Sequence, residues 1–162
     1  MGISPDSARR IRKHIVDLAS ADKAISYRAE RRLIRFGPKA VEALLEAAKN
    51  PGAQVRYRAV WALGKIRDPR AFETILAMTD DPQEEVAYDA TLALGELGDP
   101  RAIPPLAERV RRAANEDVLA GASAAALMKF GEAAVPYFVE IRNNGNLWAR
   151  EIAEDALEVM AE

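Results

Sequence analysis

The sequence predicts an all-α protein, a solenoid of about five helical pairs. Two observations carry that prediction. A segment is written twice, 31 residues apart: Val55, Tyr57, Ala59, Ala62, Leu63, Gly64, Asp68, Pro69, Arg70 and Ala71 recur as Val86, Tyr88, Ala90, Ala93, Leu94, Gly95, Asp99, Pro100, Arg101 and Ala102. A fixed period in this range marks a solenoid, in which each unit buries its apolar face against the next. In addition, helical apolar spacing alternates with turn-forming clusters along the whole chain, and no stretch shows strand alternation.

The elements follow in order. Ser4-Pro5-Asp6 opens the first helix with a capping serine and a proline in the first turn, where a missing N–H costs nothing. Ile11, Ile15 and Leu18 give it an apolar stripe, and Ala21-Asp22 ends it. A second helix spans about 23–36 and stops at Gly37-Pro38; a third runs over 38–49 to Asn50-Pro51-Gly52. Helices near 53–66, 70–79, 83–97, 101–113, 116–130, 132–143 and 147–160 follow. They are separated by Asp68-Pro69, Asp81-Pro82, Asp99-Pro100, Asn115, Gly131 and Asn143-Asn144-Gly145. The units are therefore about 1–36, 38–67, 69–98, 100–131 and 132–162, a single domain. Val118, Ala122 and Ala125 align with Val86, Ala90 and Ala93 at an offset of 32, with one residue inserted before Gly131; Arg150, Ala153, Ala156 and Leu157 match Arg56, Ala59, Ala62 and Leu63.

Composition narrows the function. Of 162 residues nearly half are apolar and 30% charged, as in globular rather than disordered chains. There is no cysteine, so disulfides, zinc–thiolate sites and cysteine nucleophiles are excluded. No window approaches a membrane span, and the first residues lack the apolar core of a signal peptide, so a cytoplasmic protein is expected. The net charge of −2 conceals a polarity: residues 1–70 hold 16 Lys/Arg against 7 Asp/Glu, and residues 71–162 hold 7 against 18. Such ends could attract head to tail, but the charged caps favour a monomer.

The segments Val55–Ile75 and Val86–Leu106 follow a pattern V-R-x-x-A-x-x-A-L-G-x-[IL]-G-D-x-R-A-[IV]-x-x-L, with Arg67 in place of a glycine and Ala87 in place of the arginine. In this they resemble HEAT repeats, specifically the short HEAT-like type named after phycobilisome lyases. The resemblance implies a right-handed α-α superhelix in which the first helix of each pair lies on the convex side and the second, about 23–36, 53–66, 84–97, 116–130 and 147–160, lines a concave groove. It is specific for fold and poor for function.

In helix 53–66, Val55, Ala59, Ala62, Leu63 and Ile66 form the apolar stripe, leaving Tyr57, Arg58, Trp61 and Lys65 for the groove. The same register offers Tyr27, Arg28, Arg31 and Arg35 in the first unit, and Glu85, Tyr88, Asp89, Leu92 and Glu96 in the third. The fourth offers Ala120, Gly121, Ala124 and Met128, and the last Trp148, Glu151, Ile152 and Asp155. Tyr27, Tyr57 and Tyr88 share one repeat position and with Trp61 would form an aromatic ladder. They either face a partner or pack between stacked helices. Groove charge turns from basic to acidic between the second and third units. Gly121, inside a helix, is read first as a close packing contact and alternatively as room for a partner's bulky side chain.

His14, the only histidine, sits beside Lys13 and is expected to be solvated; one histidine cannot supply a multi-histidine metal site. Among HEAT-like enzymes, deoxyhypusine hydroxylases hold two irons through His-Glu pairs. The corresponding pairs here are Tyr57-Arg58 and Tyr88-Asp89, so that activity is not implied. No phosphate loop, nucleophile elbow or triad is present, and no cofactor or metal is expected. The leading expectation is a non-enzymatic module that binds a protein or peptide in its groove. Alternatives are a phycobilin lyase-like, chromophore-handling protein, which rests on resemblance alone, and nucleic-acid binding through Arg9, Arg10, Arg12, Lys13, Arg28, Arg31, Arg32 and Arg35. The acidic second half disfavours the latter.

Overall fold

The computed structural model describes residues 3–162, and its regular structure is entirely helical. Ten α-helices follow in order: α1 (Pro5–Asp17), α2 (Lys23–Phe36), α3 (Val41–Ala47), α4 (Ala53–Ile66), α5 (Phe72–Met78), α6 (Glu84–Leu97), α7 (Ile103–Arg111), α8 (Val118–Met128), α9 (Val135–Asn144) and α10 (Leu147–Ala161). The first helix of each later pair begins with a 3-10 turn rather than directly as α-helix: Gly37–Ala40, Pro69–Ala71, Pro100–Ala102 and Gly131–Ala133. Proline at or near the start of the first three of these turns lacks the N–H that the first turn cannot use anyway. Among the described residues no helix is long and apolar enough to cross a membrane.

The helices stack in two layers, α1, α3, α5, α7 and α9 in one and α2, α4, α6, α8 and α10 in the other. The core lies between them. Leu33, Leu44, Leu63, Ile75, Leu94, Leu127 and Phe138 are fully buried, each contributing about 1.5–3 kcal/mol of transfer free energy. The second layer is the tight one. A Cβ built on Gly64 would lie 2.8 Å from the backbone oxygen of Ala93, and one on Gly95 would lie 2.8 Å from Cα of Ala126. Backbones of α4, α6 and α8 therefore touch where the repeat has glycine. In the first layer, α5 and α7 stand apart across a cleft of about 560 Å³. The second layer is thus closely packed where the first is open.

Asp-Pro-Arg-Ala, written twice in the sequence, fastens one unit to the preceding one. The Asp68 carboxylate accepts from the Arg70 N–H at 3.0 Å and from its guanidinium at 2.8 Å, while the same guanidinium reaches back to Glu42 at 2.8 Å and the Pro38 carbonyl. Arg101 repeats this with Asp99 and Glu73, and its guanidinium lies 4.0 Å from the Phe72 ring centre. Arg67, where the resemblance wants glycine, takes φ 60° at the end of α4, the left-handed conformation adopted by Gly98 and Gly131 at the ends of the next two units. A side chain there costs about 1 kcal/mol relative to glycine.

The fourth unit is registered differently from the sequence alignment. Gly64 meets Ala93, and one unit later Gly95 meets Ala126; the left-handed Gly98 corresponds to Gly131. Both put the offset at 33 throughout α8, so the extra residues lie ahead of that helix, not after it. Burial agrees: Val118 is exposed, whereas Ser123, Ala126 and Leu127 are buried in place of Ala90, Ala93 and Leu94. His14 also departs from expectation. It is half-buried, its ring 6.3 Å from that of Phe36 and its Nδ1 3.6 Å from Asp17, because α1 turns this edge toward the end of α2.

Candidate functional site: the second-layer face

With the register corrected, the exposed edge of the second layer resolves into rows running across the units. One row reads Tyr27, Tyr57, Tyr88, Gly121, Glu151; the next reads Arg31, Trp61, Leu92, Ala125, Asp155; the third reads Arg35, Lys65, Glu96, Lys129, Val159. Met128 leaves the face and packs against the core, and Lys129 takes its row. Ala120 and Ala124 are likewise buried.

Tyr27 and Tyr88 are exposed and Tyr57 is half-buried, and no ring–ring contact joins them among the described residues. They are separate apolar steps rather than a stacked ladder. Trp61 is half-buried beneath the Lys65 ammonium, which lies 4.5 Å from its ring centre, and the Arg58 guanidinium lies 5.3 Å from that of Tyr57. Leu92, which follows Trp61 in its row, is also half-buried.

The charge reversal between the second and third units is used internally. Lys65 Nζ reaches Glu96 Oε2 at 2.9 Å, and Lys129 Nζ reaches Glu96 Oε1 at 2.7 Å, a three-unit ion chain along one row. The hydrogen bond from Lys129, against some desolvation and with help from Lys65, holds the Glu96 carboxyl below its ordinary range. Arg58 donates to the buried Glu30 at 2.9 Å. Burial pushes Glu30 upward, and the Arg58 hydrogen bond only partly offsets it. These charges tie repeats together, which their spacing alone did not reveal; the recurrence of opposite signs at one repeat position was the available signal.

Asp89 stands apart. Burial, then the negative charges of Glu85 and Glu30, push its carboxyl up to about 6, and Arg58 offsets this only in part. The folded chain thus holds this proton more tightly than the unfolded chain does. The stability it contributes is complete below about pH 4 and is lost as pH rises through 6. Asp89→Asn is therefore expected to stabilise the fold by on the order of 1 kcal/mol at pH 7.5 and to change little at pH 4. Urea unfolding at both pH values measures this, and an equal effect at the two would contradict it.

Two features of the face have no internal use. On α2, Arg28, Arg31, Arg32 and Arg35 project with Tyr27 and Ala24 around a shallow hollow of about 380 Å³, and no carboxylate lies within 4 Å of any of the four guanidiniums among the described residues. Between α8 and α10, Val118, Gly121, Trp148 and Ile152 line an apolar hollow of about 440 Å³. A Cβ on Gly121 would meet nothing within 4 Å, so close packing does not explain this glycine. It instead forgoes the roughly 1 kcal/mol that alanine would add to the helix.

A model of HEAT repeats matches the chain three times, over residues 12–91, 41–125 and 74–158. No curated protein matches it. Among solved structures, the complex of CpcE and CpcF of phycocyanin lyase from Nostoc sp. PCC7120 is similar at 23% identity and a TM-score of 0.62, covering 99% of this chain and 66% of that one. Human deoxyhypusine hydroxylase in complex with glycerol is similar at 19% identity and a TM-score of 0.59, covering 92% and 62%. The chain thus spans a little under two thirds of either length, and at these identities the likeness is one of fold.

Proposed function

The chain belongs to the HEAT-repeat family, and from that premise we propose that it is a non-enzymatic interaction module holding a protein or peptide segment along its second-layer face. The partner lays acidic residues over α2. The observation that carries this is the unpaired arginine stripe Arg28, Arg31, Arg32, Arg35. Many other guanidiniums are consumed by carboxylates, as at Arg56, Arg58, Arg70, Arg101 and Arg111, whereas these four stand unpaired side by side around one hollow. Four like charges on one helix repel one another and weaken it, so a ligand of opposite charge relieves the structure as it binds. Tyr27 adds an apolar step beside them. A protein suits the face better than nucleic acid, because Glu85, Asp89, Glu151 and Asp155 further along would repel a continuous phosphate backbone.

A fluorescein-labelled peptide of sequence EDYEDE, followed by anisotropy at 50 mM salt, tests this. Binding is expected, with at least a tenfold loss in an Arg28→Glu/Arg31→Glu/Arg35→Glu variant. These side chains are exposed, so the variant should fold; circular dichroism verifies it. Unchanged affinity in the variant, or tighter binding of a 12-mer oligonucleotide than of the peptide, would overturn the proposal.

A further inference from the structure

At the other end of the same face the repeat pattern breaks in a way that folding does not require. Gly121 stands where the three preceding units carry tyrosine. Nothing approaches it closely, and it lies inside a regular helix. Beside it, Val118 and Trp148 occupy one repeat position in successive units, where α4 and α6 carry the polar Gln54 and Glu85. Both are markedly exposed, Val118 at 54% and Trp148 at 38%. A missing side chain flanked by two large apolar ones makes a notch with apolar walls, to which the half-buried Ile152 adds. Glu116, Asp117 and Glu151 also line it and give it an acidic rim, the Asp117 carboxylate at the same time accepting the Ala120 N–H at 2.9 Å as the cap of α8. Among the described residues no lysine or arginine lies within 4 Å of those three carboxylates.

The outer cleft between α5 and α7 is larger but offers less. Its hydroxyls, Thr79, Thr91 and Ser123, already donate to carbonyls of their own helices. Its arginines, Arg109 and Arg112, are held by Asp80 and Glu108.

We propose that the hollow between α8 and α10 is an anchor site for one bulky apolar side chain, tryptophan or leucine in size, borne by a protein segment with lysine or arginine on either side of it. Apolar walls exclude water around the anchor, and the acidic rim selects its flanks. The site rests on the interaction-module reading and adds its polarity: the acidic part of the partner lies over α2 and its basic, apolar-anchored part over α8 and α10.

The probes are three acetylated and amidated pentapeptides, KRWKR, KRSKR and EDWED, titrated against the full chain with amide NMR. KRWKR is expected to shift the Val118, Gly121 and Trp148 signals and to bind at least tenfold more tightly than the other two. Gly121→Leu fills the notch from a position with free space, so it should retain the fold while weakening KRWKR at least tenfold. It should leave the acidic peptide at α2 unaffected, which separates failure of this site from failure of the module reading. Equal binding of KRWKR and KRSKR, shifts confined to other helices, or indifference to Gly121→Leu would each overturn the proposal.

Discussion

Gly95→Ala is expected to lower the stability of the fold by roughly 2–3 kcal/mol, although the same exchange in an exposed helix interior gains about 1 kcal/mol. The new methyl would sit 2.8 Å from Cα and 2.9 Å from the carbonyl oxygen of Ala126, both backbone atoms of a helix that cannot yield without shifting α8. Gly121→Ala is the internal control. Its methyl meets nothing within 4 Å, so stability should rise by up to about 1 kcal/mol. Urea midpoints of the two variants moving in opposite directions would confirm the two kinds of glycine; movement in the same direction would refute the stacking argument.

Arg56→Ala is expected to cost about 3 kcal/mol. The Arg56 guanidinium is bidentate on Asp81, with Nε–Oδ2 at 2.8 Å and Nη2–Oδ1 at 2.9 Å, and Nη1 also donates to the carbonyls of Asn50 and Pro51. The Asp81 side chain is only 4% exposed, so removing the arginine strands a buried carboxylate. Asp81 also accepts the Gln83 N–H, at the start of α6. Burial alone would raise its carboxyl, but the Arg56 hydrogen bonds and the Gln83 N–H bring it below the ordinary range. Its contribution is therefore fully present above the unfolded value near 3.8 and is lost as pH falls through the lower folded value. Thermal unfolding between pH 2.5 and 7 should show the difference between wild type and Arg56→Ala shrinking toward the acid end. A constant difference would assign the loss to packing instead.

Much of the fold was legible because the stack imposes its period on the sequence. Val, Ala and Leu recur where helices pack, and Gly64 and Gly95 where backbones touch. The register of α8 was not, since the inserted residues fall in the loop ahead of it, and it takes the pairing of Gly95 with Ala126 and the burial of Ser123 and Leu127 to place them. The face was partly legible. Tyr27, Tyr88, Trp148 and the α2 arginines lie in the open as their spacing suggests. Arg58, Lys65 and Glu96 look the same in sequence, yet their long side chains reach neighbouring units and are consumed there. Whether an exposed charge meets its opposite depends on a partner about 30 residues away, which local pattern does not encode. Glu30, partner to Arg58, lies on the buried side of α2, where a carboxylate has no helical signature.

The ties between units share one property of length. Gln54 donates to the carbonyls of Leu18 and Ser20, Arg56 to Asp81, Arg70 to Glu42, and Asn146 to the carbonyl of Ala113, each reaching across roughly one repeat. No tie of this kind asks a newly made segment to wait for a distant one. A chain so wired can be completed as it leaves the ribosome, every helical pair docking on a neighbour already in place, with little time for unfinished apolar surface to meet another molecule.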